Sequence, residues 1–329
     1  MVPRPHFQKL VERARFLPAL SAAVVFPVDR DSLQLALSGA FAGYLVPTLV
    51  GPEHRIRDAA DRAGLDISRL AIADTADEPR AAAERAVRLA RDGKVRALIR
   101  GSLGQVDFLA PVAAPENGLR TDQRLTHATF LDLPGFPRFM LLSDASLNVT
   151  PNLAAKKDIV LNTIRMALAL GVTAPLVALL AARDTITPSL PSTSEAAALK
   201  SMAAQRAFGN AVVEGPLTVD VAISEASARQ RGLVSEVAGR ADVLIAPSME
   251  SATMVLRTLT GMTGGLAAGM VLGAQVPIVL PAPGDPIEMR IASCVLASLM
   301  AAALVDPSVA ADVPPAAPPP GLDRAPLAA

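Results

Sequence analysis

AAVVFPV at 22–28, LVPTLV at 45–50, LAIA at 70–73 and VRALI at 95–99 are four short apolar runs within one stretch of the chain. Helix signals separate them. Asp31 stands where an N-cap is needed and Gly43 where that helix would stop; residues 53–63 are closed by Gly64. Thr75-Ala-Asp-Glu78 fits a capping box, in which hydroxyl and carboxylate satisfy free backbone N–H groups. Pro79 follows at an early helical position, where it sacrifices no hydrogen bond, and Gly93 ends that helix. The order βαβαβαβ predicts a mainly parallel sheet covered by helices, an α/β protein.

Outward from this stretch, residues 101–135 are richer in Gly, Pro and polar groups and read as long loops at strand ends. A strand at 139–142 runs into Ser143-Asp144. A second series follows: helix 154–170, strand 176–181, helix 194–207, strands near 211–221, helix 224–231, strand 242–246, helix 249–260, strands near 268–280 and an apolar helix at 287–305. The segment 306–329 holds seven of the chain's 28 prolines and is expected to be a disordered Pro/Ala-rich tail.

Composition narrows the function. The 329 residues are 51% hydrophobic, enough for a large core, and whole-chain disorder is excluded. Lys+Arg and Asp+Glu both number 31, so no global basic field attracts nucleic acid or an anionic membrane. Aromatics are 3%, too few for base-stacking platforms. One cysteine, Cys294, rules out an internal disulfide framework and reads as an inert buried thiol. His6, His54 and His127 lack ligand spacing, so no metal centre is expected. The N-terminal residues carry charges throughout without an apolar core, and the apolar stretches 164–182, 264–280 and 291–305 are too interrupted or too short to span a bilayer. A cytoplasmic location is expected.

No GxxxxGK[ST], GxGxxG or GxSxG motif occurs, which leaves nucleotide P-loop, dinucleotide and serine-hydrolase chemistry unsupported. Four polar clusters remain. Arg100-Gly101-Ser102-Leu103-Gly104 is either a simple βα turn or a loop offering N–H groups to an anion. Gly118-Leu119-Arg120-Thr121, with Arg124 and His127 beyond, could grip phosphate or be solvated surface. In SDASLNVTP (143–151), Asp144 and Asn148 either orient a ligand or bond local backbone. In Pro191-Ser192-Thr193-Ser194-Glu195 the hydroxyls cap a helix whose N-terminus could also hold phosphate.

These clusters carry a resemblance. ALIRGSL (97–103), GLRT with Arg124 and Leu125, SDASLNVTPNL (143–153), KKDIVLNTIRMALALGV (156–172), PSTSEAAALKSMA (191–203), VVEGPLTVD (212–220), RGLVSEVAGRADVLIAP (231–247), VLGAQVPIVL (271–280) and RIASCVLASL (290–299) together resemble the phosphate acetyl/butyryltransferase family, the butyryltransferase-like branch in particular. The resemblance implies a two-domain α/β/α fold like the isocitrate/isopropylmalate dehydrogenases, with an interdomain cleft. Domain one would be 1–143 plus 285–305 and domain two 144–284, in a homodimer. It further implies transfer of a short acyl group between coenzyme A and inorganic phosphate, with acyl-CoA as substrate and neither a metal nor a tightly bound cofactor. By the same resemblance Asp144 and Asn148 are catalytic candidates, and Arg290 joins them as a cation that could contact the anion. Ser102, Arg120, Ser192, Thr193, Asp220 and Gly273 are the substrate-binding candidates.

Several positions depart from the family pattern. Its His-Thr and later Arg after the GSL loop are here Gly104, Gln105 and Ala110, and its Asp-Leu-Glu-Ala-Gly-Asn type segment is Ser248-Met249-Glu250-Ser251-Ala252-Thr253. A Ser and an Arg that serve coenzyme A and charge are Pro286 and Glu288. At an effective dielectric near 20 and about 4 Å, exchanging attraction for repulsion swings an interaction by roughly 8 kcal/mol at most. The alternative is therefore a catalytically degenerate member that binds acyl-CoA or a partner protein without turnover. A metal- and NAD-dependent dehydrogenase of the same fold ranks last, since no carboxylate constellation for Mg²⁺ is visible.

Overall fold

The computed structural model describes residues 4–306. Beyond Asp306, the segment expected to be disordered lies outside the described residues.

The first series forms as α1 (Pro5–Ala14), β1 (Leu20–Val25), α2 (Arg30–Phe41), β2 (Leu45–Gly51), α3 (Glu53–Ala63), β3 (Ala71–Asp74), α4 (Pro79–Arg91) and β4 (Ala97–Arg100). Residues 101–135 are not all loop: they contain α5 (Gln105–Val112) and β5 (Thr126–Asp132). Then come β6 (Met140–Ser143), α6 (Leu153–Ala169), β7 (Leu176–Leu180), α7 (Pro191–Ala204), β8 (Val212–Leu217), α8 (Val219–Ile223), α9 (Glu225–Gln230) and β9 (Val243–Ile245). The chain ends through α10 (Met249–Thr263), β10 (Leu266–Leu272), β11 (Ile278–Val279) and α11 (Ile287–Val305).

Two expected caps are corrected. Asp29, in extended conformation, caps α2 by accepting from the Ser32 N–H at 2.7 Å; Asp31 lies inside the first turn. No capping box precedes α4, because Glu78 is the N-cap without a side-chain bond and Thr75 Oγ1 donates to the Ala76 carbonyl.

All strands join one sheet in the order β3-β2-β1-β4-β11-β10-β5-β6-β9-β7-β8. Pairing is parallel on each flank and antiparallel at β11–β10, β10–β5 and β5–β6. Strand direction therefore reverses across the centre. The C-terminal ends of β1, β4 and β11 face one edge, and those of β6, β9, β7 and β8 the other.

Period-two alternation buries both faces. Ala22 and Val24 point to a core shared by α1, α2, α3, α6, α7 and α11, which runs the width of the sheet. Ala23 and Val25 point to the other face, where the core is split. One part lies under α4 and α5 and the other under α8, α9 and α10. Between the parts, β5 and β10 present His127, Thr129 and Gly269, and the His127 Nδ1 and Thr129 Oγ1 are buried without a hydrogen-bond partner. Aliphatic layering breaks where the strands offer polar or absent side chains.

Among the described residues α11 alone is long and apolar enough to cross a membrane; it runs 19 residues, four more than the apolar stretch from 291. It is mostly buried, packing against α1, α2 and β10, as a core helix does. Cys294 on it is fully buried, and burial pushes its thiol pKa up to about 12, so it is inert at neutral pH.

Candidate active site

A cavity of about 210 Å³ opens at the C-terminal ends of β1, β4 and β11, with Asp29, Asp31, Arg100, Ser102, Ala282 and Arg290 among its walls. Ser102 Oγ donates to Asp29 Oδ2 at 2.7 Å and accepts from the Val28 N–H at 3.2 Å. Burial raises the cost of charge on Asp29. Hydrogen bonds from Ser32 and Ser102, with the charge of Arg290, nevertheless hold its carboxyl below the usual carboxylate range. Asp29 thus ties the start of α2 to the loop after β4.

Arg290, on the first turns of α11, is 7% exposed. Its Nε donates to the Asp285 carbonyl at 2.9 Å, and its Nη2 to Asp31 Oδ2 at 2.8 Å and the Ala282 carbonyl at 3.5 Å. Its Nη1 has no hydrogen-bond partner among the described residues. Arg100 donates to the Pro281 carbonyl. Burial lowers its pKa, Asp285 partly offsets this and Arg290 adds to it. Glu288 and Pro286 are exposed and neither lines the cavity.

Asp144 and Asn148 lie in the turn between β6 and α6. Asp144 is 2% exposed, and both its oxygens are engaged. Oδ1 accepts from the Ser146 and Leu147 N–H groups at 2.9 Å each. Oδ2 accepts from the His127 N–H at 3.0 Å and from Asn148 Nδ2 at 2.6 Å. Asn148 also donates to the Leu125 carbonyl at 3.1 Å and lines a second cavity of about 220 Å³ with Arg124, Thr150 and Asn152 at the N-terminus of α6. Burial depresses the His127 ring's pKa, with Asp144's charge opposing in part. The two cavities sit at ends of oppositely directed strands. A hydrogen bond joins the regions beside them: Gln105 Nε2, at the start of α5, donates to the Ser146 carbonyl at 3.4 Å.

The remaining candidates scatter. Arg120 is exposed and its guanidinium has no partner among the described residues. Gly273 has φ +86°, and a Cβ there would sit 2.2 Å from the Arg124 carbonyl, so this glycine permits the 118–125 loop to close on β10. Thr193 is buried; its Oγ1 accepts from the Thr187 N–H at 2.9 Å and donates to the Leu190 carbonyl at 2.8 Å. It fastens a loop. The N-cap of α7 is Leu190 with no side-chain bond, so the expected hydroxyl cap does not form. Ser192 borders a small apolar recess beside the Lys156–Glu195 ion pair. Asp220 is exposed and pairs with Arg231 at 2.7 Å; hydrogen bonding by Thr218 and the Arg231 charge lower its pKa. Of the nine candidates the structure brings Ser102 to Arg290 and Asp144 to Asn148. Asp29 and Asp31 join the site as residues whose role was not expected; the only signal was a DRDS run in which either Asp could cap. No group of three or more His, Cys, Asp or Glu side chains that could hold a metal ion occurs among the described residues.

The profile of the phosphate acetyl/butaryl transferase family matches residues 80–298. A phosphate acetyltransferase of Rhizobium meliloti is 42% identical over 296 residues, covering 90% of this chain and 93% of that protein. The chain belongs to the phosphate acetyl/butaryl transferase family. A phosphate butyryltransferase of Clostridium acetobutylicum is 32% identical, covering 90% of this chain and 98% of that protein, so the acetyltransferase relative is the more similar of the two. Among solved structures, a branched-chain phosphotransacylase from Enterococcus faecalis V583 superposes with TM-score 0.75 at 24% identity, covering 86% of this chain and 99% of that one. A 4-hydroxythreonine-4-phosphate dehydrogenase from Klebsiella pneumoniae reaches 0.53 at 16% identity, with the same coverage. Both show likeness of fold alone.

Proposed function

We propose that the protein transfers a short acyl group between coenzyme A and inorganic phosphate. Phosphate oxygen attacks the thioester carbonyl carbon, the carbonyl oxygen takes the developing charge, and the C–S bond breaks to release thiolate. In reverse the thiolate attacks acyl phosphate. Either direction needs cationic or N–H groups beside phosphate and oxyanion. The observation that carries the reading is Arg290: a buried guanidinium lining a strand-end cavity with Nη1 unengaged. Ser102, oriented by Asp29, is a hydroxyl within the same walls. Asp144 and Asn148 are positioning residues, because every Asp144 oxygen is already occupied by a donor. Arg120 and Arg124, both exposed and with guanidiniums unpaired among the described residues, are further cations for the phosphates of coenzyme A.

The break between the two partial cores, at His127, Thr129 and Gly269, supports a cleft between two lobes in the manner of the isocitrate/isopropylmalate dehydrogenases; the bounds 1–143 plus 285–305 and 144–284 are proposed with it, with Val271 and Ile278 packing in the core of the first lobe and Leu131 and Met140 in that of the second. A cytoplasmic homodimer belongs to the same reading, and light scattering checks the dimer. A coupled assay with acetyl-, propionyl- and butyryl-CoA tests the activity. Phosphate-dependent formation of acyl phosphate is expected; none with any of the three would overturn the transferase.

Pro286 and Glu288 favour a second reading, a member that binds acyl-CoA or a partner protein without turnover. That reading expects coenzyme A binding by calorimetry without product, and activity gained in the pair Pro286→Ser and Glu288→Arg. Rapid turnover by the wild type excludes it.

A further inference from the structure

The cavity at the ends of β4 and β11 holds two arginines, yet its walls are not net positive. Asp29 and Asp31 line it together with Arg100 and Arg290, and Asp31 pairs directly with Arg290. An arginine grips phosphate best through two adjacent N–H groups on one edge of the guanidinium. On Arg290 the Nε–Nη2 edge is filled by the Asp285 carbonyl and the Asp31 carboxylate. On the Nη1–Nη2 edge, Nη2 has a second, longer acceptor in the Ala282 carbonyl at 3.5 Å. On Arg290 a phosphate therefore meets one free nitrogen, Nη1, with a like charge directly behind it, while Arg100 Nε is buried in the wall without a partner among the described residues.

We propose that Asp31 masks Arg290 and so sets the affinity of this cavity for inorganic phosphate. This rests on the reading above, in which Arg290 contacts the phosphate. Asp31 is suited to be a mask rather than a strut. Its side chain is 60% exposed and so can turn to solvent. Helix α2 is capped by Asp29, so Asp31 can lose its charge without uncapping the helix. Arg290 keeps two backbone carbonyls as anchors when Asp31 is gone. Glu288, by contrast, is exposed and outside the cavity walls, although it is the more conspicuous departure in the sequence.

Calorimetric titration of inorganic phosphate into the full chain tests this, using wild type, Asp31→Asn, Glu288→Gln and the double variant Asp31→Asn/Arg290→Gln. Removing one like charge at this range is expected to tighten phosphate binding about tenfold at low ionic strength in Asp31→Asn. The gain should shrink toward about twofold in high salt, where small ions screen the partly exposed carboxylate. Glu288→Gln should stay within about twofold of wild type, and the double variant should lose the gain. Unchanged or weaker binding in Asp31→Asn would overturn the proposal, as would the absence of measurable binding in both proteins. The coupled acyl-CoA assay on the same samples separates the two readings. Tighter phosphate binding without acyl phosphate formation keeps the mask and removes the transferase. Turnover with unchanged phosphate affinity does the reverse.

Discussion

The turn at Asp144 and the cavity at Arg290 are both polar frames at strand ends, but they are built differently. Around Asp144 the donors come from within four residues or from the adjacent strand β5, and the carboxylate is almost fully buried. Around Arg290 the Asp285 and Ala282 carbonyls are local, but the contacts that join the walls are far apart in sequence: Asp29 with Ser102, Asp31 with Arg290, Arg100 with the Pro281 carbonyl. The first frame is closed, and its oxygens are spent on holding backbone. The second is open to the cavity and joined by contacts that can be exchanged. Departures from the family pattern at Pro286 and Glu288 fall beside the second frame. Substitution there changes charge more readily than fold.

The sharpest way to break this contrast is Asp144→Ala. It strips acceptors from the N–H groups of His127, Ser146 and Leu147 and from Asn148, and each buried unsatisfied donor costs about 1–3 kcal/mol. With water entering the turn, a net loss of about 4 kcal/mol is expected in urea unfolding. Asp144→Asn keeps one acceptor and should recover about half. A cost below about 1 kcal/mol for Asp144→Ala would show that the closed frame does not hold the turn.

The open frame should respond less. Asp29→Ala removes the α2 cap and the Ser102 contact, an expected loss of about 1–2 kcal/mol. Ser102→Ala removes only the cross-link and should cost about 1 kcal/mol. If Asp29→Ala instead cost as much as Asp144→Ala, the two frames would be mechanically alike and the contrast would fail.

The outer sheet was legible because β1, β2 and β4 are apolar runs punctuated by glycine stops. Gly64 and Gly93 do take positive φ, at 66° and 68°. The centre was not. In THATFLD at 126–132, Thr126, His127, Thr129 and Asp132 interrupt the aliphatic alternation, and the partner strand β10 lies more than 130 residues away. Pairing on both sides, with nearby β6 and distant β10, makes β5 a strand despite its polar residues. Helix α5 hides behind Gly104 at its cap and Pro111 inside it, and α1 behind a run of charged residues with few apolar ones. At the site, Asp144 and Asn148 were legible as a pair because strand end and turn chemistry coincide. The tie between Asp31 and Arg290 was not, since no local pattern relates residues 259 apart.

Acid separates the two frames most finely. His127 sits on the closed side, its ring resisting protonation through burial, with Asp144 the charged group acting on it. In the unfolded chain the imidazole takes its proton near pH 6.5, its usual value of about 6.5. Below that pH the unfolded state binds more protons than the folded state, so stability falls as pH drops. On the open side Asp29 has a depressed carboxyl, and its contribution is lost only at lower pH, below the usual carboxylate pKa of about 3.9. His127→Gln cannot titrate. It should lie within about 1 kcal/mol of wild type at pH 8, and it should lose less stability than wild type between about pH 7 and pH 5. Equal losses over that window would mean that the buried ring does not govern the first acid step, and that the frame around Asp144 is no more pH-sensitive than the cavity across the sheet.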